Sequence, residues 1–248
     1  LKPESDPDRF VQRYALANLY FATKGPEWSV QNNFLSNRHE CYWYTGEAGC
    51  NFFATVRGAH CSCFSNSGNP EKVDYIVLSN NNLNGTMPES LSLLRELWHL
   101  NLADNSIHGE IAGLGPSLEQ LFLNNNQLSG NVPTSMTYLP LDFLYLDSNR
   151  LSGTIPDGLG EYAPGIDLSE NMLTGSIPSS MYSNFANSLR LGLHGNSLQD
   201  DLTEYCAYLE TSMCGTCASV DPEEVICPCC NMGWCPEPYG ATGRAPWC

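Results

Sequence analysis

The chain has 248 residues, 42% of them hydrophobic and 15% charged, with 27 acids against 11 bases for a formal net charge of −16. A surface that acidic repels phosphate backbones and anionic headgroups, which makes nucleic acid and membrane surfaces poor partners. No apolar run approaches the roughly 20 residues a bilayer-spanning helix needs, so no membrane span is expected.

Residues 6–24 predict an amphipathic helix. Asp6-Pro7 is a cap followed by a first-turn proline, Gly25 is the stop, and Phe10, Tyr14, Ala17 and Phe21 recur at helical spacing as its expected apolar face. Trp28, Phe34-Leu35-Ser36 and Cys41-Tyr42-Trp43 follow, and Cys41, Cys50, Cys61 and Cys63 complete an even set of four cysteines. A Cys41–Cys50 bridge would close about ten residues and add roughly 2–3 kcal/mol.

From residue 73 a pattern L-x-L-x-x-N-x-L-x-G-x-I-P recurs, first as Ile76-Val77-Leu78 through Asn81, Leu83, Gly85 and Pro88. Its anchoring asparagines are Asn81, Asn105, Asn126, Asn149, Asn171 and Asn196, separated by 24, 21, 23, 22 and 25 residues. A period of that length is the signature of leucine-rich repeats. The paired apolar residues Leu100/Leu102, Leu121/Leu123, Leu144/Leu146, Ile166/Leu168 and Leu191/Leu193 alternate with outward positions, so each copy opens with a short strand. A chain that coils back every two dozen residues stacks those strands in parallel. Each asparagine stands where the chain leaves the sheet, and its amide can donate and accept at once to backbone groups the turn would bury. Two copies depart from the pattern. The second has Ile111-Ala112 for Ile-Pro, and the sixth has Asp200 in place of glycine with Leu202-Thr203 for Ile-Pro.

Beyond the repeats lie Cys206, Cys214, Cys217, Cys227, Cys229, Cys230, Cys235 and Cys248. Eight cysteines admit 105 pairings, so connectivity stays open. Cys214-x-x-Cys217 and Cys227-x-Cys229-Cys230 have spacings that could suit zinc, but no histidine lies in this block. Even sets at both ends favour disulfides throughout and an oxidising, secreted location. The start at Leu1-Lys2-Pro3-Glu4 reads as a processed mature end. The expected fold is therefore an α/β leucine-rich-repeat solenoid with a curved parallel sheet of six repeats and disulfide-bonded caps. Its parts are an N-terminal helical cap over 1–72, the repeats over 73–203, and a cysteine-rich cap or separate tail module over 204–248.

The L-x-G-x-I-P ending resembles the plant-type class of these repeats. That class includes polygalacturonase-inhibiting proteins and plant receptor-kinase ectodomains, and similar repeats occur in algal secreted proteins. Cys41-Tyr42-Trp43 resembles the class's N-terminal cap, but family caps carry a Cys-Cys-x-Trp element, so the family's disulfide pairing does not transfer. The resemblance covers roughly residues 73–203 and implies fold rather than ligand.

Function in a solenoid sits on the side chains between the strand leucines, on the concave face. Three outward columns follow: Tyr75, His99, Gln120, Phe143, Gly165, Arg190; then Val77, Asn101, Phe122, Tyr145, Asp167, Gly192; then Ser79, Ala103, Asn124, Asp147, Ser169, His194. Tyr75, His99, Phe122, Phe143 and Tyr145 are the expected contact residues, with Asp147, Asp167 and Glu170 making an acidic edge. Rings beside carboxylates suit a protein, peptide or polysaccharide ligand. The alternative is a structural role in a cell wall, filament or matrix, by self-assembly through the solenoid and the tail. Ice binding needs a uniform polar ladder, which these mixed columns do not provide. Asp147 and Asp167 fall on adjacent strands, as two glycosidase carboxylates or a weak calcium site would require, but no other motif supports catalysis. Neither an enzyme nor a cofactor is expected. Asn84-Gly85-Thr86 is a glycosylation sequon, with Asn84 as acceptor.

Overall fold

The computed structural model describes residues 6–45, 57–61, 72–161, 163–181, 190–201, 218–219 and 225–226. The chain forms two compact units, Leu1–Ser129 and Gly130–Cys248. Ten of the twelve cysteines, Cys50, Cys63 and the eight from Cys206 to Cys248, lie outside the described residues.

In the first unit, helix α1 (Pro7–Ala22) starts where Asp6 Oδ1 accepts from the Arg9 amide at 3.0 Å. Its buried face is Gln12, Ala15, Leu16, Leu19 and Tyr20, whereas Phe10, Tyr14 and Phe21 are exposed. The expected apolar face was thus the wrong one. The aliphatic stripe packs inward, and the larger rings face solvent. Nor does Gly25 stop the helix: Lys24 takes the left-handed turn, at φ 55°, and Gly25 opens a short 3-10 turn instead.

Below the helix, Tyr20, Trp28, Phe34 and Trp43 form a cluster of ring contacts, with centroid separations of 5.1 Å for Tyr20–Trp28 and 5.0 Å for Trp28–Phe34. Glu40 is fully buried and bridges Arg9 and Arg13, whose Nε atoms lie 3.0 and 2.5 Å from its two oxygens. Both guanidinium groups also donate to the Arg38 carbonyl, and Arg13 lies over the Trp43 ring at 4.7 Å.

Strands β1 (Tyr42–Thr45) and β2 (Arg57–His60) form an antiparallel pair. The disulfide next to them joins Cys41 to Cys61, not to Cys50 as the shorter loop suggested. Antiparallel pairing places Tyr42 opposite His60, which sets Cys41 and Cys61 side by side with Cα atoms 4.9 Å apart. Closing that 20-residue separation contributes about 3 kcal/mol in the chain-entropy account.

The repeats begin with β3 (Tyr75–Val77), followed by β4 (Asn84–Gly85), β5 (His99–Asn101), β6 (Ser106–Gly109), β7 (Gln120–Phe122) and β8 (Gln127–Asn131). The unit's sheet runs β1-β2-β3-β5-β7, antiparallel up to β3 and parallel beyond it. A second, shorter ladder pairs β4 with β6 and β6 with β8.

The helix end and the first repeat satisfy each other. The Asn84 and Thr86 amides donate to the Thr23 and Ala22 carbonyls, at 3.1 and 3.3 Å, so the last carbonyls of α1 are not orphaned. This approach needs Gly85, whose φ is +142° and whose added Cβ would fall 1.8 Å from the Ala22 oxygen.

In the second unit, β9 (Phe143–Tyr145), β10 (Arg150–Gly153), β11 (Gly165–Asp167), β12 (Met172–Gly175), β13 (Arg190–Gly192) and β14 (Ser197–Leu198) repeat the plan. The parallel order is β9-β11-β13, and β10-β12-β14 forms the second ladder. Three short strands complete it: β15 (Asp200–Asp201), β16 (Ala218–Ser219) and β17 (Val225–Ile226). β16 pairs in parallel with β13, so backbone from the cysteine-rich tail extends this sheet. At the glycine-less sixth copy, Asp200 Oδ2 accepts from the Ile177 amide at 3.0 Å.

Candidate functional site

The asparagine ladder sets the register of the outward residues. Asn105 shows the full pattern. Its amide donates to the Leu78, Leu102 and Ala103 carbonyls, at 2.9, 2.9 and 3.0 Å, and its Oδ1 accepts from the Asn81 and Leu83 amides at 3.0 and 2.9 Å. Asn126, Asn171 and Asn196 repeat the two-copy stitch. Asn81 uses it to join the cap, exchanging bonds with the Val30 amide and carbonyl. With the turns pinned, a one-residue slip that would reverse every side chain is barred.

In the first unit the rows align as expected and extend further. Tyr42, His60, Tyr75, His99 and Gln120 lie in register across five strands, and Tyr44, Gly58, Val77, Asn101 and Phe122 form the adjacent row. Tyr42, Tyr44 and His60 were not anticipated. The signal was there in Tyr42-Trp43-Tyr44, where buried Trp43 alternates with two outward tyrosines.

His99 is the centre of this face. Tyr75 stacks on its imidazole at 4.2 Å and 14°, Phe122 lies tilted at 5.4 Å, and Trp98 meets it edge-on at 5.5 Å. Gln120 Oε1 stands 2.9 Å from Nδ1. Only 8% of His99 remains exposed, although its position marked it as an accessible contact residue. Tyr75 and Phe122 are half-buried. Burial pulls the His99 imidazole down to about 4, with the Gln120 hydrogen bond only partly opposing, and it pushes the Tyr75 phenol up. Burial also lowers His60, against the nearby Asp74 charge.

A pH dependence follows. The native state takes up His99's proton less readily than the unfolded chain, so its stabilising share is complete above pH ~6.5. It is lost as pH falls from there towards 4. Between pH 7 and 5 this one group costs about 2 kcal/mol. Urea unfolding at the two pH values should show that loss in the wild type and a smaller one in His99→Phe; equal losses would mean that His99 titrates normally.

The second unit carries Phe143, Tyr145 and Asp147, all half-buried, with the Phe143 and Tyr145 rings 6.4 Å apart at 82°. Gly165 makes room for Phe143, since a Cβ there would lie 2.6 Å from its ring. Asp167 does not join an acidic edge. It is fully buried, its Oδ1 accepts from the Ser169 amide and hydroxyl at 3.1 and 2.5 Å, and it lies across side-chain-free Gly192. The carboxylate pair weighed from the sequence therefore does not form at the surface. Glu170 is exposed and stands 3.7 Å from His194 Nε2. Among the described residues, no cluster of histidine, cysteine and carboxylate has metal-holding geometry, and no helix is long and apolar enough to cross a membrane. Asn84 is half-buried in β4, at the contact with the end of α1.

Stacked parallel strands, an asparagine at each turn and a period near two dozen residues find their counterpart in known proteins. The Leucine Rich Repeat family profile matches residues 72–94, 117–139 and 140–162. The chain carries plant-type leucine-rich repeats. Among solved structures it resembles the BIR2 ectodomain from Arabidopsis thaliana, with 26% identity, TM-score 0.58, and coverage of 75% of this chain and 93% of that one. It also resembles the Arabidopsis receptor kinase HAESA, solved in complex with the peptide hormone IDA and the co-receptor SERK1. Identity there is 28% and the TM-score 0.58, over 79% of this chain and 30% of that one. The plant peptide hormone receptor RGFR1, solved with RGF2, shares 32% identity at TM-score 0.51 over 58% of this chain. The repeats here span only 24% of the length of RGFR1. No curated protein sequence matches the chain.

Proposed function

We propose that the protein is an extracellular recognition module that binds a peptide or protein partner through the outward rows of its repeat sheet. The observation that carries this reading is the ring ladder in the first unit, where half-exposed Tyr75 and Phe122 flank the buried His99 on a rigid parallel scaffold above the leucine core. Exposed or half-exposed aromatics in such a setting are typical contact anchors. Two further facts support it. Receptor ectodomains with similar repeats are solved with peptide hormones and co-receptors, and a disulfide beside the first strands suits an oxidising compartment. Those same relatives favour a peptide or protein ligand over a polysaccharide.

The test is light scattering on the eluting protein, followed by an array of extracellular peptides and glycans probed with the monomer. Peptide signal is expected, and Phe122→Ala should lower it at least tenfold, as loss of a central ring does at a hot spot. Concentration-dependent assembly with a blank array would instead favour the structural role.

A further inference from the structure

The buried imidazole of His99 has one nitrogen to spare. Nδ1 donates to Gln120 Oε1 at 2.9 Å, which leaves Nε2 as a lone-pair acceptor at neutral pH. Nε2 is the ring nitrogen farther from the backbone, so it sits at the outer tip of the side chain. It is buried and has no hydrogen-bond partner among the described residues. Buried acceptors are normally satisfied, and an orphan of this kind in a native structure calls for an explanation. The rings packed around the imidazole are Tyr75, Trp98 and Phe122, with centroids at 4.2, 5.5 and 5.4 Å from its own.

The charge of the surroundings narrows what could complete this site. The chain's net charge is −16, yet the row that holds His99 and the row beside it carry no carboxylate. Their residues are tyrosine, histidine, glutamine, valine, asparagine and phenylalanine, with a glycine at Gly58. A lysine or arginine side chain would meet rings and no carboxylate in either row, since Asp74, whose charge acts on His60, is fully buried, and a carboxylate would meet an acceptor nitrogen. A neutral ring that carries its own hydrogen-bond donor matches both the stacking surface and the orphan atom.

We infer that the His99 cradle is a specificity subsite for a tyrosine or tryptophan side chain of a bound peptide, whose O–H or N–H donates to Nε2 while its ring replaces one of the covering rings. This rests on the reading of the sheet face as a peptide-binding surface and adds to it the kind of side chain that surface selects. Rotamer changes of the covering residues on binding are ordinary at interfaces.

The experiment uses the full chain labelled with 15N-histidine and three small probes: the N-acetyl amides of tyrosine, tryptophan and phenylalanine. Imidazole nitrogen spectra report directly on Nε2. The tyrosine or tryptophan amide should move the His99 Nε2 resonance and saturate at a concentration about tenfold below that of the phenylalanine amide. In His99→Phe, which keeps a ring, that preference should vanish. Should that variant not fold, the wild-type comparison of the three probes stands by itself. Equal binding of all three with no change at Nε2 overturns the subsite but leaves the face as a ring-binding surface. If none of the probes perturbs His99 or His60, and array-selected peptides do not either, the subsite and the binding-face reading both fall.

Discussion

Asn105→Ala should destabilise the first unit by about 3–5 kcal/mol, the largest effect expected of any single side chain in the ladder. The Asn105 side-chain amide satisfies three carbonyls and two backbone amides at 2.9–3.0 Å. Alanine would remove all five bonds, leaving the Leu102 carbonyl to the Asn126 amide and the Ala103 carbonyl to the Asn80 N–H. Each polar group left buried and unpaired costs about 1–3 kcal/mol, and water entering the half-buried turn recovers part of the total. Asn105→Asp is the sharper control. It keeps the acceptor for the Asn81 and Leu83 amides but sets an oxygen against the Leu78, Leu102 and Ala103 carbonyls. It should therefore cost at least as much as alanine. Urea unfolding followed by near-ultraviolet circular dichroism measures both variants. A loss below about 1 kcal/mol in each would show that the turns hold without the asparagine.

Glu40→Ala should cost about 3–5 kcal/mol in the same assay, because it leaves two cations facing each other without a counter-ion. Glu40 is fully buried, and Arg9 and Arg13 are about three-quarters covered beside it. The pair also holds Arg13 over Trp43 and directs both guanidinium groups to the Arg38 carbonyl. Removing the carboxylate therefore loosens the packing of α1 on the segment that leads into β1. Arg9→Ala or Arg13→Ala alone should cost less, since the remaining arginine still neutralises Glu40. Single-arginine variants more damaging than Glu40→Ala would contradict this ranking.

Much of the repeat region is legible from the sequence because its code is redundant. Leucine pairs, asparagine, glycine and the Ile-Pro ending all mark the same turn, and the strand registers fall where the alternation places them. The ends are less legible. In α1 the bulk of Phe10, Tyr14 and Phe21 outweighs the smaller Ala15, Leu16 and Leu19 on paper, yet the aliphatic stripe packs inward. The partner of β1 begins at Arg57, and nothing local to Cys41 distinguishes Cys50 from Cys61 as its mate. On the face itself, row position says which way a side chain points but not what covers it. Three rings close over His99, and Asp167 lies against Gly192, where no Cβ stands in its way. A glycine within an outward row is the signal that could have warned of this, for its neighbours lean into the space it leaves.

The binding-face account is tested most directly by photo-crosslinking from defined positions, with benzoylphenylalanine placed at Phe122 in one protein and at exposed Phe21 on α1 in another. Each is irradiated with the peptide that binds best on the array. The account predicts an adduct from position 122 that free peptide competes away, and none from position 21. An adduct from position 21 with none from 122 would move the binding surface to the helix and contradict it.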